Sequence, residues 1–368
     1  MTAPLLVHEW IESAGGAEKV LDRFAGLYPE SEILCLWNDA PGRYESSRVV
    51  QTWLAGTPLR RSKISALPFM PMTWSHRSEN ADWMLISSHL FAHHATLRDQ
   101  SIPKLVYVHT PARYLWAPEL DPRGRSLPVR TASRVLKPLD ARRARQATSI
   151  TANSHFIARR IADAWDVDAR VIYPPVDIRT LQSREAWAET LSEQDHATLE
   201  RLPQEFVLGA SRLVSYKRLD LVIRAAQAAD IPAVIAGSGP DEANLQSLAA
   251  EMTVPVHFVP RPSDELLYAL YERASVFFFP PVEDFGIMPV EAMALGTPTV
   301  VNAVGGAVES VDPPRTGALF ESETPADLRR AIDAARIIDR RTVAERARSF
   351  SAERFDAQIL EWVLETLG

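Results

Sequence analysis

Short apolar runs, each followed by a helical pattern, recur through most of the chain. LLVHEW, EILCLW, WMLISS, LVYVHT, SITANS and RVIYPP occupy the first half, and FVLGAS, AVIAG, VHFVP, SVFFFP, TVV and GALF follow from about residue 205. Runs of this kind, apolar on both faces and separated by helices, are strands of parallel sheets covered on both sides. Two sets of six, in a chain of 368 residues, predict two α/β domains, because one core does not grow to that size. Between the sets lies IRTLQSREAWAETLSEQDHATLERLPQE, polar and helical in pattern, which predicts a linker. The expected organisation is a first domain over 1–177, a linker over 178–204 and a second domain over 205–350. The closing segment 351–368 reads as an amphipathic helix with Phe355, Ile359, Trp362, Val363 and Leu367 at helical spacing.

Composition narrows the classes. A net charge of -7 argues against a general nucleic-acid binder. A single cysteine, Cys35, excludes a disulfide framework and a cysteine-cage zinc site. No apolar run reaches the length of a membrane span and no basic leader pattern opens the chain, so a cytoplasmic protein is expected.

In open parallel sheets ligands sit beyond the carboxyl ends of the strands, so the loops there carry the candidates. PPVEDFGIMPVEAMALGTPTVV, residues 280–301, puts Glu283 in such a loop and Glu291 near the start of the next helix, for which Pro289 suits the first turn. Phe285, Gly286 and Ile287 offer main-chain N–H groups at that helix start, a ready anion site. Two carboxylates beside a phosphate would repel it, so they are expected to accept hydrogen bonds from hydroxyl groups. Phosphate together with vicinal hydroxyls describes a nucleotide sugar. The opposing charge comes from Arg212 and Lys217 in GASRLVSYKRLD, which could neutralise a diphosphate without a metal. Gly15 and Gly16, after the first strand, let main chain approach a ligand across the expected interdomain cleft. DFG at 284–286 lacks every companion of a kinase, and Asp166-Val167-Asp168 reads as a solvated turn. His89 and His93 have the i, i+4 spacing of zinc ligands with His94 adjacent, but Leu90 stands where a zinc hydrolase has glutamate, so no metal is expected.

The order SRL-x3-K at 211–217, AGSGPD at 236–241, RPSDELLYALY at 261–271 and E-x7-E from Glu283 to Glu291 resembles the retaining glycosyltransferases of family 4. VHEW, GGAEKVL, ISSHLFA, YVHTPARYLW, ANSHFIARRI and VIYPPVD resemble the branch containing O-antigen-type mannosyltransferases. The resemblance implies the GT-B fold, two Rossmann-like domains with parallel sheets facing across a cleft, and a C-terminal helix packing back on the first domain. It implies transfer of a hexose, mannose from GDP-mannose in that branch, to a glycan or lipid-linked glycan with retention. A UDP-sugar donor, or an epimerase or hydrolase on the same architecture, stands as the alternative. Arg212 and Lys217 match the diphosphate pair, Glu283 the group on the donor sugar's hydroxyls, with the main chain of Phe285 to Met288 beside the sugar and phosphate, Glu291 the ribose ligand, Arg261 the position beside the base and His109 the histidine near the reacting sugar. Pro260 stands where the family has glycine. No cofactor or metal is implied beyond the donor itself. Two basic stretches, 53–74 and 122–145, suggest a surface for an anionic lipid headgroup or lipid-linked diphosphate, which would place the protein at the inner face of the plasma membrane.

Overall fold

The computed structural model describes residues 3–75, 81–118 and 127–368, so residues 122–126 of the second basic stretch lie outside the described residues. The chain divides into two compact units, Met1–Pro175 with Glu353–Gly368, and Val176–Ala352.

The first unit holds β1 (Leu5–His8), β2 (Ile33–Cys35), β3 (Val49–Gln51), β4 (Met84–Ser88), β5 (Lys104–Val108), β6 (Ser149–Ala152) and β7 (Arg170–Val171). All pair in parallel, in the order β3-β2-β1-β4-β5-β6-β7. The second holds β8 (Val207–Ala210), β9 (Ala233–Ala236), β10 (Val256–Val259), β11 (Val276–Phe279), β12 (Thr299–Asn302) and β13 (Gly317–Phe320), ordered β10-β9-β8-β11-β12-β13. Both are the doubly wound order, in which the chain leaves the first strand of the sheet in one direction and resumes on its other side. The switch points therefore lie between β1 and β4 and between β8 and β11.

The central strands β1, β4, β8 and β11 are buried along their whole length, which is why they read as unbroken apolar runs. Helix starts are set locally: Ser154 and Ser263 accept from the main-chain N–H three residues on, at 3.1 Å each, and Asp166 and Asp230 end helices in the left-handed region.

Two features differ from the sequence reading. The edge strand β3 was not expected. It spans three residues, is half-exposed and pairs on one side only, so it carries no apolar run. The segment 178–204, expected as a linker, belongs to the second unit. Trp187 is buried against Tyr268 with ring centroids 4.8 Å apart, its main-chain N–H donates to Glu272 at 2.9 Å, and Arg273 donates to the carbonyls of Leu199 and Leu202.

The helix Ala352–Leu367 lies in the first unit. Phe355, Ile359, Trp362 and Val363 join the core with Phe24 and Tyr107, each contributing about 1.5–3 kcal/mol of burial. Arg170 reaches Glu361 at 2.7 Å and Glu365 at 2.6 Å, and Arg23 pairs with Asp356.

Candidate functional site

Each switch point carries a cluster of polar side chains. In the second unit, Arg212 and Lys217 follow β8 and Glu283 follows β11. Lys217 Nζ donates to Glu283 Oε1 at 2.6 Å, with both side chains less than one-fifth exposed. Arg212 is exposed and donates through Nη2 to Tyr216 Oη at 2.8 Å. The sequence-predicted cation and carboxylate, 66 residues apart, thus meet directly.

The loop around Glu283 is held by glycines. Gly286, at φ 116, is the residue before the helix Ile287–Ala294, so Ile287 and Met288 open that helix as expected. Phe285 is buried with its ring 5.5 Å from Phe350. Gly305 and Gly306, after β12, were not singled out from the sequence. Gly306 N–H donates to the carbonyl of Glu283 at 2.7 Å, and a Cβ at Gly306 would meet the carbonyl oxygen of Asp284 at 1.9 Å. The two loops are in main-chain contact, a closeness that only glycine allows. The signal was the Gly-Gly pair directly after a strand.

Glu291 lies in the second turn of Ile287–Ala294, half-buried, close enough to the buried Tyr271 and to Tyr268 to bear on both. Burial first, then the charge of Glu291, push the Tyr268 hydroxyl up to about 12. Arg261 follows β10, is exposed, and takes a left-handed φ of 47, the strained conformation falling on arginine with Pro260 before it.

The first unit's switch point is built differently. Glu9, directly after β1, is fully buried and accepts from the main-chain N–H groups of His89, Leu90 and Ala92 at 2.8–3.2 Å and from Ser88 Oγ at 3.3 Å. His89 Nδ1 stands 3.1 Å from Glu9 Oε2. Burial raises the Glu9 carboxyl, but His89, His8 and the main-chain donors outweigh it and hold the group below the usual carboxylate range. His8 Nδ1 lies 3.1 Å from Ser87 Oγ, which lies 2.9 Å from His109 Nε2. His109, expected near the reacting sugar, therefore sits at the carboxyl end of β5 in a relay with His8. Burial, then the neighbouring His89 and His8, push His109 well below its ordinary value, so its ring is neutral at physiological pH. Gly15 precedes and Gly16 opens the helix Gly16–Leu27, beside the buried carboxyl of Glu18.

His89 and His93 are not on one helical face. A short 3-10 turn, Ala92–His94, sends His93 and His94 to a second buried network. Asp140 Oδ1 lies 3.1 Å from His93 Nε2 and 2.8 Å from His94 Nε2, while Oδ2 accepts from the indoles of Trp116 and Trp165 at 2.7 and 2.8 Å. The sets His8, Glu9, His89 and His93, His94, Asp140 bring their ligand atoms close enough to hold an ion. In both, the carboxylate is already engaged by N–H or O–H donors, which an ion would have to displace.

Two doubly wound units in one chain, the second with cation, carboxylate and glycine-held helix start at its switch point, define the GT-B architecture. Residues 14–180 match the family model Glycosyltransferase Family 4, and residues 192–350 match Glycosyl transferases group 1. The chain thus carries the two domains of a glycosyltransferase in tandem. Among curated proteins it is similar to D-inositol 3-phosphate glycosyltransferases. That of Mycobacterium sp. (strain KMS) is 31% identical over 225 residues, covering 56% of this chain and 49% of that protein. That of Nocardioides sp. (strain JS614) is 30% identical over 252 residues, covering 58% and 53%. The chain spans about half the length of these curated relatives. Among solved structures, Anabaena HepE in complex with UDP-glucose superposes with a TM-score of 0.70 at 20% identity, over 99% of this chain and 100% of that one. The sucrose-phosphate synthase of Thermosynechococcus elongatus gives 0.73 at 17%, over 99% of each. At these identities the likeness establishes the fold.

Proposed function

We propose that this protein transfers a hexose from a nucleotide sugar, GDP-mannose as the sequence resemblance implies, to a glycan or lipid-linked glycan, with retention at the anomeric carbon. The observation that carries this reading is the 2.6 Å contact of Lys217 with Glu283 at the β8/β11 switch point. In this reading the cation for the diphosphate lies within hydrogen-bonding distance of a carboxylate able to hold sugar hydroxyls. Arg212 lies on the same β8 loop, and Ile287 and Met288 present main-chain N–H groups at a helix start. In this reading Glu291 takes the ribose, and the main chain about Arg261 takes the base. Gly15, Gly16 and His109 serve the reacting sugar from the first unit.

The bond from the anomeric carbon to the donor phosphate breaks, and the acceptor oxygen bonds to that carbon on the same face. The acceptor's proton passes to the leaving phosphate oxygen. Arg212, Lys217 and the helix-start N–H groups stabilise the charge that develops, a preorganised contribution that needs no metal. A neutral His109 suits contact with a sugar hydroxyl. Peripheral membrane contact through 53–74 and 122–145 belongs to the same reading.

Melting temperatures recorded with GDP-mannose, UDP-glucose and ADP-glucose test it, since a ligand that binds only the native state raises stability by about 2.7 kcal/mol at a hundredfold excess over Kd. A shift with GDP-mannose alone supports the donor assignment, and a shift with UDP-glucose alone replaces it. No shift with any of the three overturns the nucleotide-sugar site. Donor consumption at full rate without acceptor would favour the hydrolase alternative.

A further inference from the structure

Residues 53–74 form two 3-10 turns and two short helices, Trp53–Gly56, Pro58–Arg61, Lys63–Ala66 and Met70–Thr73. One side of this segment is anchored: Leu54, Ala66, Met70 and Trp74 are fully buried in the first unit's core. The other side is apolar as well. Trp53, Ile64, Phe69 and Met72 are 53%, 61%, 41% and 76% exposed, and Trp53 and Phe69 meet edge to face at 6.3 Å. No other stretch of this length among the described residues exposes as many large apolar side chains. An ordinary amphipathic segment would turn polar groups outward, so an outward apolar face calls for an occupant.

The charges around it say which. Residues 53–74 contain Arg60, Arg61 and Lys63 and no acidic residue. Asp39 pairs with Arg60 at 2.5 Å and Glu12 with Lys63 at 2.7 Å, and Arg61 is exposed. The segment's end is bonded to the helix Leu127–Ala144, where Arg143 Nη2 donates to Ser75 Oγ at 3.0 Å. Over 133–145 that helix and its end carry Arg134, Lys137, Arg142, Arg143 and Arg145 against one acid, Asp140, which is buried. Arg134, Val135 and Arg142 are exposed. Exposed aromatic and aliphatic side chains, flanked by arginines, in a protein whose net charge is -7, match a surface that is apolar below and anionic above.

We propose that the outer face of residues 53–74, continued by the exposed Arg134 and Arg142 of the helix Leu127–Ala144, seats the first unit on an anionic phospholipid bilayer. Trp53, Ile64, Phe69 and Met72 enter the headgroup boundary, and Arg61, Arg134 and Arg142 meet lipid phosphates. The assignment deepens the lipid-linked arm of the acceptor reading, because an acceptor held in the bilayer would then be met at its own surface.

Cosedimentation of the full chain with large vesicles tests it, comparing equal parts phosphatidylglycerol and phosphatidylcholine with phosphatidylcholine alone. Binding to the anionic vesicles is expected, with little to the zwitterionic ones. The double variant Ile64→Ser, Met72→Ser should partition roughly tenfold more weakly. Arg61→Glu with Arg134→Glu should lose about fivefold per charge removed, and raised salt should weaken the wild type in the same sense. All four positions are exposed, so melting temperature and nucleotide-sugar shift should stay at wild-type values. A chain that stays in the supernatant with anionic vesicles, or variants that sediment undiminished, overturns the proposal. Self-association that Ile64→Ser, Met72→Ser abolishes, without vesicle binding, would instead make this face a contact between copies of the chain. Vesicle binding without any nucleotide-sugar shift breaks the donor-site reading and leaves the membrane face standing.

Discussion

The two units share a topology and solve their switch points in opposite ways. In the first, the carboxylates are buried and engaged in advance: Glu9 at a strand end by main-chain N–H groups, and Asp140 on a helix by His94 and two indoles, while His109 meets Ser87. In the second, the groups sit in loops, Arg212 is exposed, and main chain is brought close by glycines. Fixed neutral rings suit an uncharged polyhydroxylated partner, whereas cations beside open N–H groups suit an anion. A common fold therefore sets where a ligand binds, and the loops decide its charge.

The largest expected difference is in acid. Burial first, then His89, pushes His8 down to about 4, and burial likewise lowers His94 to about 4. Below the ordinary histidine value of 6.5 the unfolded chain binds protons that the folded unit refuses, so stability falls as pH drops from about 6.5 towards 4. Each of these two buried rings accounts for about 3 kcal/mol over that window. Hydrogen exchange followed by peptide mass should show the first unit opening while the second stays protected. Simultaneous opening of both would remove the contrast.

Next in size is catalysis. Lys217→Ala and Glu283→Ala should each lower transfer by about 10²–10³, or roughly 3–4 kcal/mol, and the double variant should lose little more than either alone because the pair acts as a unit. Full rates in both variants, with unchanged melting temperatures, would remove the second unit's claim to the donor. Glu9→Gln reverses the balance: it faces an amide towards N–H donors and should cost about 2–3 kcal/mol of stability with donor binding retained. Calorimetric melting with and without the nucleotide sugar separates the two effects. Smallest, and expected to be nil, is the effect of excess chelator on transfer; loss of activity there would redirect attention to the histidine–carboxylate sets of the first unit.

The strands other than β3, the loops that bear Arg212, Lys217 and Glu283, and the helix start at Ile287 were legible because each leaves a local mark: an apolar run, a cation after it, a proline in a first turn. Glu9 left none. Its partners come from residues 89–92, and the sequence shows only a charged residue at a strand end. The same holds for His93 and His94: the i, i+4 spacing of His89 and His93 imitates a helical metal pair, but a 3-10 turn points His93 and His94 at Asp140, 46 residues on from His94. Gly305 and Gly306 went unremarked because their role is set by what packs on them, the carbonyls of Glu283 and Asp284.

The helix Ala352–Leu367 closes the core of a unit whose other residues end at Pro175. During synthesis the first unit must therefore wait, with the apolar side of Phe24 and Tyr107 uncovered, while about half the chain is still being made. A stretch made only after the whole second unit is thus a latch on a domain built earlier. Deleting it should leave the second unit's fold untouched and condemn the first to aggregation or proteolysis, a built-in check that only chains carrying the helix survive.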